Sequence, residues 1–228
     1  MRSSMNKQHK HYKLYHFPLT RSARALWALY ETVNEESSIE IEVVPLFSGG
    51  QYEEPYLTKN PNHHVPLLEV TLEDGSTQRM LESAAMVEWL VDAFPEQKLA
   101  PPPGPSWARA DYLSMLHFGA TWMDMMLWQI RIHEDVLPEE EKDERTVKRY
   151  RDKFTLEVEP QLLERLNKSD YICGDNFSGA DIIVGHNVRW ARAYRLCSDD
   201  RFRAYLSKVS KRPAFIKAFA DAADFNAG

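Results

Sequence analysis

Cysteine is nearly absent: Cys173 and Cys197 are the only two in 228 residues. Two cannot build a disulfide framework, and the expectation is a reduced, cytoplasmic setting. No apolar run reaches the ~18 residues of a membrane span, so no membrane partner is expected. A basic surplus is also missing. The 28 Lys and Arg face 34 Asp and Glu, for a net charge of −6, which argues against nucleic acid as a partner. Where bases do cluster, at Lys148, Arg149, Arg151 and Lys153, acids are interleaved and the stretch reads as the wet face of a helix. With nine glycines the chain carries no phosphate-cradling loop, no dinucleotide fingerprint and no Gly-x-Ser-x-Gly elbow. His9/His11 and His63-His64 lack a third ligand at useful spacing, so no metal is expected.

What is present divides the chain. The head MRSSMNKQHKH, residues 1–11, is polar and basic with no apolar stretch behind it, and reads as a disordered or appended extension. Residues 12–94 hold the strand signals. Tyr12 to Phe17 reads as a strand, and Ile39, Ile41 and Val43 alternate with Glu40 and Glu42. Val65 to Leu72 and Thr77 to Leu81 flank the hairpin signal Asp74-Gly75. Leu26, Trp27, Leu29, Tyr30 and Val33 recur at helical spacing, as do Met86, Val87, Trp89, Leu90 and Ala93. The order is β-α-β, an irregular stretch, then β-β-α. Residues 95–106, PEQKLAPPPGPS, exclude helix and central strand and mark a linker. Residues 107–228 read as all-helical. A long helix is expected from Trp107 to about Leu137, and a second from Glu139 to about Asn167 that Pro160 bends. Ser178, Asp181 and Phe177 form a capping box with its staple.

Three places can carry chemistry. "FPLTRSAR", residues 17–24, runs from a strand end into a helix start and holds two hydroxyls. "NPNHHVPLLE", residues 60–69, puts Val65-Pro66 just before a strand. Glu82-Ser83 opens a helix, where free amides and the dipole suit a carboxylate and Ser83 is a good N-cap.

Together these segments give the chain a family resemblance. "FPLTRSARALWALYE", "NPNHHVPLLE", "LESAAMVEWL" and "GDNFSGADI" stand in the order found in glutathione S-transferases of the cytosolic type, across about residues 12 to 220. The resemblance implies a thioredoxin-like domain followed by a helical-bundle domain, with glutathione as co-substrate. It implies that Glu82 faces the γ-glutamyl ammonium and that Ser83 receives its carboxylate. Val65 would pair with the cysteinyl part beside a cis Pro66, and His64 would meet the glycyl carboxylate. His63 stands where the family commonly has glycine, a departure that weakens the last assignment.

Family catalysis is thiolate activation by a hydroxyl between the first strand and first helix. Thr20 and Ser22 both fit, Tyr15 in the strand is a third choice, and Arg21 and Arg24 are expected to add field or surface charge. No cysteine lies there, unlike in the glutaredoxin-like branch, and the two that exist read as buried fillers. Trp107, Met115, Phe118, Trp122 and Met126 are candidates to line an electrophile pocket between the domains, though such a stripe also suits plain core. A homodimer is implied. The leading function is conjugation of glutathione to small, mostly apolar electrophiles in detoxification. A non-catalytic glutathione-binding or regulatory protein, or a glutathione-dependent peroxidase or isomerase, are the alternatives.

Overall fold

The computed structural model describes residues 9–221, so most of the predicted head lies outside the described residues. In chain order the first elements are β1 (His9–His16), α1 (Ser22–Thr32), β2 (Ile39–Val43), α2 (Tyr56–Lys59), β3 (Leu67–Leu72), β4 (Thr77–Met80) and α3 (Ser83–Ala93). The strands lie in the order β2-β1-β3-β4. β1 runs parallel to β2 and antiparallel to β3, and β3 and β4 form the hairpin. At its turn Gly75 takes φ 83°, and Asp74 accepts from the Ser76 amide at 2.8 Å. The arrangement is thioredoxin-like.

Three local differences from the sequence reading have simple causes. β1 starts at His9, inside the predicted extension, because its ladder with β3 carries the polar His11 and Lys13. β3 starts at Leu67, since Pro66 has no N–H to donate. The four residues of α2 are too few to show a period.

Burial follows the sheet. Leu14, Leu29, Leu67, Leu68, Met86 and Leu90 are fully buried, each contributing about 1.5–3 kcal/mol. Beneath the β1–α1 corner, Tyr15, Phe17, Val44, Tyr56, Val65 and Leu67 form one apolar cluster, with Leu46 and Leu81 packed against it.

The helical unit spans Pro103–Lys211. It contains α4 (Trp107–Phe118), α5 (Asp124–Arg131), α6 (Glu144–Lys153), α7 (Glu159–Leu166), α8 (Gly179–Ala193) and α9 (Asp200–Val209). The first expected long helix is real but relaxes into wide, π-type turns at Gly119–Met123 and Ile132–Val136. Such a turn changes the carbonyl pairing, and the buried Asn187 amide donates to Gly119 O at 2.7 Å. A Cβ at Gly119 would stand 2.8 Å from Ile183 Cγ2, so glycine is what lets this turn approach α8. The second expected helix likewise widens into a π-type turn at Phe154–Val158, directly before Pro160 in the first turn of α7. None of the described helices is long and apolar enough to cross a membrane.

The helical unit does not continue to residue 228. The chain rejoins the first unit from Arg212, with α10 (Pro213–Ala218) packed on α1. Two interactions cause this. Arg212 grips Glu31 through Nε–Oε1 at 2.6 Å and Nη2–Oε2 at 2.7 Å, and Phe215 meets the fully buried Trp27 edge-on at 4.9 Å.

Candidate functional site

At the end of β1 the chain turns sharply, with Leu19 at φ 60°, and enters α1 at Ser22. Arg21 occupies the cap position without a side-chain cap, so the hydroxyls of this corner serve other ends. Ser22 is fully buried. Its Oγ accepts from Phe17 N at 3.1 Å and lies 3.0 Å from Phe17 O, 2.7 Å from His16 Nδ1 and 2.7 Å from Thr20 Oγ1. Those four partners surround the hydroxyl within the corner. Thr20 is half-buried at the same corner, with Oγ1 2.7 Å from Phe17 O.

Behind Ser22 the hydrogen bonds continue. His16 is fully buried and its Nε2 lies 3.2 Å from Asp221 Oδ2. Burial lowers the imidazole pKa, while Asp221 works in the opposite direction.

Tyr15 is disposed otherwise. Its phenol donates to Glu69 Oε2 at 3.0 Å and accepts from the Lys59 ammonium, and Arg79 Nε completes the cluster 2.9 Å from Glu69 Oε1. Burial raises the Tyr15 pKa above its ordinary range. The phenol so engaged lies on the sheet face opposite His16, with its proton directed at Glu69.

In the second segment the Val65–Pro66 peptide is cis, as is Glu54–Pro55, which the sequence did not suggest. Asn60 organises the loop and is fully buried. Its Oδ1 accepts from Asn62 N at 3.0 Å and its Nδ2 donates to His64 O at 2.6 Å, where the Tyr56 hydroxyl also donates at 2.5 Å. His63 sits at φ 44°, the left-handed region that glycine enters freely. The missing family glycine is therefore a genuine backbone cost, and a ring contact of 4.8 Å with Tyr52 accompanies it. The His64 side chain is exposed.

The third segment needs a correction. Ser83 is not the N-cap: Glu82, exposed at φ 69°, holds that position, and Ser83 is the first residue of α3. The Ser83 hydroxyl instead accepts from Arg24 Nη1 at 3.4 Å. Arg24 is fully buried between α1 and α3, so it is not the surface charge its type suggests. The apolar cluster below the corner unites the three segments, since Phe17, Val65 and Leu81 precede or enter each of them.

The predicted electrophile stripe is divided. Met115 and Met126 are buried in core, Phe118 is half-buried, and Trp107 and Trp122 are exposed. Lys153 lies over the Trp122 ring at 4.6 Å. Stripe periodicity could not separate these roles, because α4 and α5 are joined by a wide turn. Both cysteines sit where the thiolate is disfavoured. Burial pushes the Cys173 thiol up to about 12 and that of Cys197 higher still.

Residues 14–98 match the family described as glutathione S-transferase, N-terminal domain, and residues 120–213 match glutathione S-transferase, C-terminal domain. Glutathione S-transferase GstA of Escherichia coli is 27% identical over 163 residues, 69% of this chain and 73% of that protein. Among solved structures, a glutathione transferase from Phanerochaete chrysosporium in complex with oxidized glutathione superposes with a TM-score of 0.81. It is 21% identical, over 94% of this chain and 97% of that one. A family member from Pseudomonas fluorescens with two glutathione bound gives 0.79 at 20% identity, over 92% of each chain. With both halves matched in order and the fold shared along nearly its whole length, the chain belongs to the glutathione S-transferase family.

Proposed function

We propose that this protein is a glutathione transferase that holds the glutathione thiol as a thiolate with the Thr20 hydroxyl and directs it at small, mostly apolar electrophiles. One observation carries the reading. Both hydroxyls at the β1–α1 corner are hydrogen-bonded within it, but Ser22 is fully buried and Thr20 is the half-buried one. A free thiol has a pKa near 8.5, and a hydroxyl donating to the sulfur favours the anion. In the same reading Glu82 and Ser83 hold the γ-glutamyl group, the Val65 backbone beside Pro66 pairs with the cysteinyl unit, and the His64 ring meets the glycyl carboxylate. Trp107, Phe118 and Trp122 offer apolar surface to the electrophile. The protein works in the cytoplasm as a homodimer and serves detoxification.

The test is turnover of a chromogenic aryl halide with glutathione. Glutathione binding without turnover across a broad panel of electrophiles would replace catalysis with a binding role.

Ser83→Ala checks the binding half separately. A charge-assisted hydrogen bond to a carboxylate is lost, so KM for glutathione rises about tenfold. The contact is remote from the sulfur and is made equally in ground and transition states, so kcat stays within about twofold. Steady-state kinetics with glutathione varied reads both, and an unchanged KM removes Ser83 from the site.

A further inference from the structure

The corner hydroxyls stand at the end of a continuous chain of hydrogen-bonding atoms. From the outside inward it runs Thr20 Oγ1, Ser22 Oγ at 2.7 Å, His16 Nδ1 at a further 2.7 Å, and His16 Nε2 to Asp221 Oδ2 at 3.2 Å. Its middle members, Ser22 and His16, are fully buried, so no bulk water competes for these links, and Phe17 O, 2.7 Å from Thr20 Oγ1 and 3.0 Å from Ser22 Oγ, is the other acceptor at the corner. We propose that His16 is the proton acceptor for the glutathione thiol, reached through the hydroxyls of Thr20 and Ser22 and held in place by Asp221.

The proposal rests on the assignment of Thr20 to the sulfur. Before ionisation the thiol S–H donates to Thr20 Oγ1, the Thr20 O–H donates to Ser22 Oγ, and the Ser22 O–H donates to His16 Nδ1. His16 Nε2–H donates to Asp221. On ionisation the S–H bond breaks and a Thr20 O–H bond forms. Thr20 passes its original proton to Ser22, and Ser22 passes its own to Nδ1. No proton leaves the protein; the three links from sulfur to His16 Nδ1 reverse direction, and the Nε2–H to Asp221 link stays as it was. The product is a thiolate accepting from Thr20 and an imidazolium donating to Ser22 and to the Asp221 carboxylate. His16 touches no reacting atom and is a positioning residue with a proton-holding role.

The surroundings suit that role. Burial lowers the His16 pKa and works against the imidazolium, while Asp221 and the hydrogen bond to Ser22 work in its favour. Asp221 is the charged group acting on it among the described residues, and Ser22 is its partner from α1. The neighbouring β2 end offers the uncharged Val43 and Val44. Tyr30 is the titratable group on the Asp221 side, with Glu36 and Lys217 around it, and burial raises its pKa, so it stays protonated through the working range.

The readouts are proton release on adding glutathione, followed with an indicator dye in weak buffer at pH 7, and the thiolate absorbance of the bound form. The wild-type protein is expected to show thiolate with well under one proton released per site. In His16→Asn, which keeps a hydrogen-bonding group but cannot hold the proton, the bound thiol pKa rises about one unit. kcat/KM at pH 6.5 then falls about tenfold or more, with any remaining thiolate releasing its proton to the dye. Asp221→Asn shifts both in the same direction by less. Circular dichroism melts confirm that the variants fold. If the wild type releases a full proton, or His16→Asn leaves the thiol pKa unchanged while Thr20→Val raises it, the relay is wrong and the Thr20 assignment stands. If Thr20→Val also changes nothing, the Thr20 assignment itself has failed.

Discussion

Replacing Thr20 with valine lowers kcat/KM for glutathione conjugation by about 10- to 100-fold and raises the pKa of the bound thiol. Valine keeps the branched shape and removes one hydroxyl, so the half-buried corner is not emptied. A hydrogen bond to a charged partner contributes about 1.5–3 kcal/mol, and each 1.36 kcal/mol is a factor of ten in rate. The loss falls on the thiolate, so it is largest at low pH and shrinks as the solution itself ionises the thiol. Above a pH of about 9 the two proteins converge. Glutathione binding is less affected, because the contacts proposed at Glu82, Ser83 and Val65 remain. Thr20→Ser restores a donor and most of the rate. A kcat/KM profile from pH 6 to 9 with an aryl halide measures all three variants. A flat ratio of wild type to valine would mean that another group activates the sulfur.

The second large effect is on stability. Asp181→Ala is expected to cost about 3 kcal/mol or more and to lower Tm by about 10 °C. The carboxylate is fully buried at the start of α8. One oxygen accepts from Ile172 N at 2.9 Å and the Tyr205 hydroxyl at 3.0 Å. The other accepts from Ser178 N at 2.9 Å and Ser178 Oγ at 3.0 Å. Alanine leaves four donors with nothing to meet, inside a site that water cannot easily enter. Asp181→Asn fares little better, since its amide nitrogen would face donors on one side. Below the melt, conjugation per folded molecule is expected to be unchanged, because Asp181 belongs to no part of the proposed glutathione site. A thermal melt that moves by less than about 2 °C would show that these donors find other partners.

What the sequence disclosed is what short range determines. The strand alternation of Ile39 to Val43, the Asp74-Gly75 turn and the Ser178 and Asp181 pair each lie within a few residues of their partners. What it concealed is long range or sub-residue. Asp221 and His16 are 205 positions apart, and Arg212 and Glu31 are 181 apart. Nothing local marks either pair. Arg24 reads as surface because an arginine is buried only when a partner such as Ser83 receives it. The wide turns in the helical unit escaped because one extra residue in a turn hardly disturbs an apolar stripe. In the site itself, the segments and their order were legible, while the different burial of Ser22 and Thr20, on which the proposed choice between them rests, was not.

The return of α10 to α1 bears on how this fold can be made and recombined. During synthesis the sheet, α1 and α3 leave the ribosome long before Arg212 and Phe215 exist. Trp27 and Glu31 must then wait, unclasped, while the whole of Pro103–Lys211 is translated. Genetic exchange meets the same constraint. A single crossover in the proline-rich linker would join α1 to a foreign α10, whereas grafting a new helical unit onto this sheet takes two junctions, one near Pro102 and one before Arg212.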